Sequence, residues 1–357
     1  MNIYKKIESL FNLRIYSLKN KKEIIEKILN SLTKYHYNKS LIYKKILSGL
    51  NYNLRINYSI EKLPFIPIRL FKNHEFKSVR DQKIVRILRS SGTTGSMPSK
   101  IFLDEKNSHN QIKVLNKIIK NVIGEKRLPM LIIDKKINFL NKNEMTARLA
   151  AINGFSIFGF DHTYLLNETE EINYPVLIDF LKKYKKKKFL IFGFTSLIFE
   201  NLINKLKLNK NLIKWKKGII LHGGGWKKLE KIKVSNAKFK STLEKKLNIK
   251  TIINYYGLVE QTGSIFVECI KCSRLVTTEF SDIIIRDKNL KVCKENEVGI
   301  IQTISMLPTS YPGHNILTED IGEIKGENNC KCGKLGKYFL VHGRIKEAEV
   351  RGCSNVT

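Results

Sequence analysis

Between residues 129 and 221, short apolar runs alternate with segments of helical length, and this alternation restricts the fold more than any other feature of the chain. Pro129–Asp134, Phe155–Phe160, Phe189–Phe194 and Gly218–Leu221 have the length and content of buried strands, while Met145–Asn153, Tyr174–Lys183 and Ser196–Leu208 between them suit helices. Strands separated by helices pair in parallel, because a crossover of that length carries the chain back to start in the same direction. The expected class is α/β, with mainly parallel sheets covered by helices.

The flanks read differently. Ile24, Ile25, Ile28, Leu29 and Leu32, then Leu41, Ile42, Ile46 and Leu47, make apolar helical faces within residues 1 to about 60. The prolines of Pro64-Phe65-Ile66-Pro67 force an extended path. From about residue 265 the pattern is strand-rich and punctuated by Gly and Pro. The chain is therefore divided into an N-terminal helical segment with a proline-rich entry (1–80), an α/β core (81–264) and a late β-rich subdomain (265–357).

The balance of 65 Lys+Arg against 32 Asp+Glu gives a net charge of +33, a value that can draw a protein to nucleic acid or an anionic membrane. Lysine is spread through every segment, however, and its densest run, Lys182 to Lys188, follows an apolar stretch as a solvated helix end would. A specific nucleic-acid partner is not expected. Without an apolar run of about 18 residues or a signal-peptide pattern, no transmembrane segment and a cytoplasmic location are expected.

Three polar, glycine-bearing loops follow strand-like runs. Ile84–Leu88 leads into Ser90-Ser91-Gly92-Thr93-Thr94-Gly95-Ser96-Met97-Pro98-Ser99-Lys100, and Ile101–Asp104 leaves it. Glycines there free backbone N–H groups to converge, hydroxyls add donors and Lys100 adds a charge, which suits a polyphosphate. Gly218–Leu221 runs into His222-Gly223-Gly224-Gly225-Trp226, where the backbone is open to a flat ring. Ile252-Ile253 runs into Asn254-Tyr255-Tyr256-Gly257-Leu258-Val259-Glu260-Gln261-Thr262-Gly263.

The Ser90–Lys100 wording closely resembles the phosphate loop of the AMP-forming adenylating superfamily, with Lys100 one place later than in the common form. Tyr256-Gly257-x-x-Glu260 resembles its Tyr-Gly-x-Thr-Glu segment, although position 259 is Val, so a hydroxyl contact would have to come from Thr262. Thr318-Glu319-Asp320 and Gly343-Arg344 resemble its ribose-binding elements. The resemblance implies ATP and Mg²⁺ as cofactors. It places ATP on Ser90, Ser91, Gly92, Thr93, Thr94, Gly95, Gly223, Gly224, Gly225, Tyr256, Gly257, Asp320 and Arg344, and Mg²⁺ on Glu260.

Pro64–Pro67, Arg127–Met130, Leu221–Leu229, Glu260–Gly263, Tyr311-Pro312-Gly313-His314 and the ending around Cys353 narrow the resemblance to the acyl-protein synthetases, over nearly the whole chain. This implies an adenylating-enzyme-like large domain without a full C-terminal lid domain. It also implies a carboxylic acid substrate, expected to be a fatty acid. The acid is joined to AMP and then transferred to the Cys353 thiol as a thioester for a partner reductase. Cys353, Lys100 and Glu260 are the expected catalytic residues. A thiolate is well suited to attack an acyl-adenylate, and Arg351 and Lys346 stand near Cys353 in the sequence.

Two alternatives remain at this point: an adenylating ligase that hands the acyl group to CoA or a carrier protein, and a basic zinc-containing nucleic-acid-binding protein. Cys269-x-x-Cys272 and Cys330-x-Cys332 form two close pairs suited to one structural Zn²⁺, with Cys293 apart. His222 and His314, in motif loops, are candidates for orienting substrate. The segments Phe158–His162 and Gly193–Leu197 are candidates for the carboxylate pocket.

Overall fold

The computed structural model describes residues 3–12, 20–90, 97–136, 147–207, 215–226 and 232–345. Ser91, Gly92, Thr93, Thr94, Gly95 and Cys353 lie outside the described residues. The chain opens with helices α1 (Ile3–Leu10), α2 (Lys21–Lys39) and α3 (Leu41–Gly49). α2 buries Ile25, Ile28, Leu29 and Leu32, the face that the helical spacing anticipates. Beyond Gly49 the helical expectation fails, and residues 50–60 form turns and bends.

There follow β1 (Ile66–Pro67), the single turn α4 (Leu70–Asn73), β2 (Ile84–Arg89), β3 (Lys100–Asp104) and α5 (Glu105–Ile123). Next come β4 (Leu128–Lys135), α6 (Ala147–Ser156), β5 (Gly159–Leu166), α7 (Tyr174–Tyr184) and β6 (Phe189–Phe194). After them are α8 (Thr195–Ile198), which runs into a π-helical turn over Phe199–Lys205, then β7 (Gly218–Gly223), α9 (Asn236–Leu247) and β8 (Thr251–Tyr256). The last strands are β9 (Phe266–Glu268), β10 (Leu275–Val276), β11 (Ser281–Arg286), β12 (Gly299–Ser305), β13 (Asn315–Glu327) and β14 (Lys337–Arg344).

These elements fall into two compact units, one from residues 1–118, 142–147 and 257–357, the other from 119–141 and 148–256. The second unit carries the anticipated parallel sheet, in the order β5-β4-β6-β7-β8. β4, β6 and β7 are buried almost from end to end, as strands covered on both faces must be. Leu131, Ile133, Ile191 and Ile220 of the sheet pack in one core with Leu177, Phe180 and Leu181 of α7 and with Phe239, Leu243 and Leu247 of α9.

Helix ends in this unit have local causes. The Asn173 side chain accepts from Val176 N and Pro175 stands in the first turn of α7, while Lys182 and Lys183 occupy its last turn. Ser235 caps α9, and Asn248 ends it in the left-handed conformation at φ 56°. The lysine run beyond α7 is exposed, as expected of a solvated helix end. One strand assignment needs correction. Phe155 is in the last turn of α6, and the strand starts only at Gly159. Phe155 is apolar because its ring stacks on Phe192 at 4.6 Å, and apolar content alone does not separate a buried helix end from a strand.

The first unit is β-rich. Its larger sheet has the order β11-β12-β13-β14-β10-β9, with antiparallel neighbours and β1 added in parallel to β13 at Ile66↔Ile316. β2 and β3 form a separate antiparallel pair. The α/β expectation holds, with a parallel, helix-covered sheet and a late run of antiparallel strands.

Candidate active site

In the first unit, β2 and β3 pair antiparallel on either side of the segment read as a phosphate loop, whose residues 91–96 lie outside the described residues. Ser90 N donates to Ser99 O at 3.0 Å, and Ser99 N donates to Ser90 Oγ at 2.8 Å, so the two serines close the base of the loop. Lys100 starts β3, and its ammonium pairs with Glu75 at 2.8 Å.

Glu260 lies in the 3₁₀ turn Val259–Gln261 and is buried. Burial raises its carboxyl above the usual range, while Ser99, Lys72 and Arg344 pull the other way. The turn is fastened from behind. Tyr311 Oη donates to Glu260 O at 2.8 Å, and Gln261 Nε2 donates to Gly313 O at 2.8 Å and Thr303 O at 3.1 Å. The Tyr311–His314 motif thus fixes the backbone beneath a buried carboxylate.

Asp320 and Arg344 are register partners on β13 and β14, with Arg344 Nε 3.6 Å from Asp320 Oδ1. Thr318 Oγ1 accepts from Asp320 N at 3.1 Å and donates to Ile301 O at 2.7 Å, so the strand is held locally just before Asp320. Arg344 also acts electrostatically on Glu260. The structure therefore gathers Ser90, Ser99, Glu260, Asp320 and Arg344 within the first unit. Sequence reasoning missed Lys72, whose charge acts on Glu260, for its only signal was a place at the end of the proline-rich entry.

His314 corrects an expectation. It is buried, its ring stacks on His36 at 5.1 Å, and its Nε2 meets Thr33 Oγ1 at 3.0 Å. Desolvation, then His36, hold its pKa well below the usual value. An enclosed neutral imidazole of this kind supports the fold rather than orienting a substrate.

In the second unit, β7 ends in Gly223 and β8 in Tyr256. A Cβ on Gly223 would lie 2.7 Å from the Tyr255 ring and from Tyr255 O, and Gly224 has φ +78°. The aromatic that requires Gly223 is thus Tyr255, which packs on Phe155 at 4.8 Å; strand alternation sends Tyr256 to the opposite face. At Gly225 an added Cβ would meet nothing within 4 Å. Thr195 Oγ1 lies 3.0 Å from His222 Nδ1 and donates to Gly223 O at 3.1 Å, which ties the Gly193–Leu197 segment to the end of β7. His222 is buried and its pKa is lowered to about 3 by desolvation, then by Lys240, so it too is held neutral. In the Phe158–His162 segment, Asp161 pairs with Lys183 at 2.7 Å and His162 donates to Ser156 O at 2.9 Å.

The late cysteines come together in the first unit. The sulfurs of Cys269, Cys330 and Cys332 all lie within 4.8 Å of one another, and the Cys272 thiol is within hydrogen-bonding reach of Cys269 and Cys330. Cys293 is outside this group, and none of the five described cysteines is in a disulfide.

The family model described as acyl-protein synthetase, LuxE, matches residues 10–357. The chain belongs to the acyl-protein synthetase family. As a member it is an AMP-forming ligase. It is 23% identical over 317 residues to the long-chain-fatty-acid–luciferin-component ligase of Aliivibrio fischeri, covering 87% of this chain and 82% of that protein. Its fold is similar to that of 2-hydroxyisobutyryl-CoA ligase in the postadenylation state (TM-score 0.68, 11% identity, 91% of this chain and 68% of that one). It is also similar to ATP-bound MatB from Rhodopseudomonas palustris, with a TM-score of 0.50 and 13% identity, over 75% of this chain and 49% of that one. No described helix of this family member is long and apolar enough to cross a membrane.

Proposed function

We propose that this acyl-protein synthetase activates a fatty acid with ATP and carries the acyl group on its own Cys353 for a partner reductase. The observation that supports the reading best is the joining, in one unit of a family member, of a buried Glu260 with the Asp320–Arg344 pair and the serine-closed base of a glycine-rich loop. The fatty acid comes from the name of the Aliivibrio fischeri ligase.

In the first step a carboxylate oxygen attacks the α-phosphorus of ATP, the bond from that phosphorus to the bridging oxygen breaks, and pyrophosphate leaves. In the second, the Cys353 thiolate attacks the acyl carbon, a C–S bond forms, the C–O bond to phosphate breaks and AMP leaves. Asp320, accepting from ribose hydroxyls, and Arg344 beside it fix the nucleoside. The N–H groups and hydroxyls of residues 90–95 take the phosphates. Lys100 exchanges Glu75 for phosphate.

Glu260 fits a hard cation, because burial disfavours its charged form even with Ser99, Lys72 and Arg344 acting on it, and a cation would offset that cost. Bound there, Mg²⁺ would neutralise charge on the polyphosphate.

The deciding experiment pairs fatty-acid-dependent exchange of pyrophosphate into ATP with covalent labelling by radiolabelled fatty acid. Cys353→Ser is expected to keep the exchange and lose the label. A label that survives refutes the thioester on Cys353, acyl transfer to added CoA at a similar rate favours a free thiol acceptor, and absence of exchange with any carboxylate refutes adenylation.

A further inference from the structure

Two knuckles are brought side by side by strand register. The first is the turn between β9 and β10, where Cys269 N donates to Arg274 O and Ser273 N to Cys269 O, each at 2.8 Å. Ser273 takes φ 54° in that turn, which folds the chain back directly after Cys272. The second follows β13, where Gly333 N donates to Cys330 O at 3.0 Å and Cys332 N donates to Cys330 Sγ at 3.5 Å. β10 pairs with β14 through Leu275↔Phe339 and Val276↔Tyr338, so the turn that leads into β14 lies against the turn that leads into β10.

We propose that Cys269, Cys272, Cys330 and Cys332 bind one structural Zn²⁺ as a tetrathiolate. A tetrahedral centre with Zn–S bonds of about 2.3 Å holds its sulfurs roughly 3.8 Å apart; the sulfurs of Cys269, Cys330 and Cys332 already lie within 4.8 Å of one another, and Cys272, on the same turn as Cys269, supplies the fourth thiolate. Unlinked apolar thiols would explain burial, but they would not explain a backbone N–H spent on Cys330 Sγ.

The surroundings favour the complex over the bare ion. Lys271, Arg274, Lys325 and Lys331 line a surface cavity of about 340 Å³ together with Cys272 and Cys330. Such a setting repels a free dication but stabilises the two net negative charges of zinc with four thiolates. The centre is remote from the Asp320–Arg344 pair, because Glu327↔Lys337 at the cysteine end of β13–β14 and Asp320↔Arg344 are seven residues apart, on the order of 20 Å. Zinc here staples the β9–β10 turn to the β13–β14 hairpin and takes no part in group transfer.

The test is metal analysis of the purified full chain, with about one zinc per chain expected. Cys272→Ser and Cys330→Ser should each lose most of the zinc, and Cys293→Ser should keep it. In case the serine variants do not fold, Co²⁺ exchanged into the unaltered protein should give the intense sulfur-to-metal absorption of a tetrahedral thiolate site. Less than about a tenth of a zinc per chain, with all four thiols reacting freely in the folded protein, would overturn the proposal. Stoichiometric iron in place of zinc would also overturn it.

Discussion

Asp320 and Arg344 face each other across β13 and β14, with Arg344 Nε 3.6 Å from Asp320 Oδ1. The Arg344 side chain is 59% exposed and that of Asp320 15%. An ion pair so open contributes little to stability, about 0–1 kcal/mol. Asp320→Asn and Arg344→Ala should therefore each leave the urea midpoint nearly unchanged. In pyrophosphate exchange they should lower kcat/KM for ATP by roughly 10–100-fold, or about 1.4–2.7 kcal/mol of transition-state binding. A fall in stability matching the fall in activity would assign the pair to the fold instead.

Glu260→Gln separates function from stability in the opposite sense. The glutamine keeps the shape and removes a carboxyl that burial already disfavours in its charged form. Stability at neutral pH should rise by about 1 kcal/mol, while exchange falls by at least about 100-fold and no longer responds to Mg²⁺. Denaturation curves with a Mg²⁺ titration of the exchange rate check both halves.

The glycines after β7 do not carry equal constraints. At Gly223 an added Cβ would meet the Tyr255 ring and carbonyl at 2.7 Å, whereas at Gly225 it would meet nothing within 4 Å. Gly223→Ala should cost about 1–3 kcal/mol through overpacking, and Gly225→Ala well under about 1 kcal/mol. Any rise in KM for ATP in a stable Gly225→Ala would then report approach of the nucleotide to that backbone, which thermal melts beside exchange kinetics can show.

His36 and His314 set an acid limit. His36 Nε2 donates to Pro308 O at 3.1 Å and its Nδ1 meets Ser78 Oγ at 2.8 Å, and desolvation lowers its pKa from 6.5 to about 3. Below pH 6.5 the unfolded chain takes up protons that the native pair refuses. The stability from keeping the pair neutral is complete above that pH and is lost as the pH falls towards 3. Each ring contributes a slope of up to about 1.4 kcal/mol per pH unit. Urea unfolding at pH 7.5 and 5.5 should show this loss, and His36→Asn should reduce it by about 1 kcal/mol. An equal loss in both proteins would place the acid sensitivity elsewhere.

The residues that surround Glu260 show how much of the site could be read before folding. Glu260, Asp320 and Arg344 were each singled out through the resemblance of Tyr256-Gly257-x-x-Glu260, Thr318-Glu319-Asp320 and Gly343-Arg344 to motifs of the adenylating superfamily. Tyr311 and Gln261 stood in quoted motifs, yet nothing local shows that the Tyr311 hydroxyl reaches the Glu260 carbonyl. Lys72 acts electrostatically on a carboxylate 188 positions away, and only the fold reveals that coupling. The strand misread at Phe155 and the burial of His222 and His314 have one cause. Burial is a property of neighbours, and the sequence names a residue without its neighbours.

The sequence alone determined the alternation of strands and helices, the positions of the glycine-rich loops and the two close pairs of cysteines. These follow from backbone freedom and side-chain spacing over a few residues. The tertiary structure decided which loops share a unit, which aromatic presses on Gly223, and that the two cysteine pairs meet through the β10–β14 register. Such outcomes depend on how strands far apart in the chain pair and bury one another's side chains, and no local pattern encodes the partner.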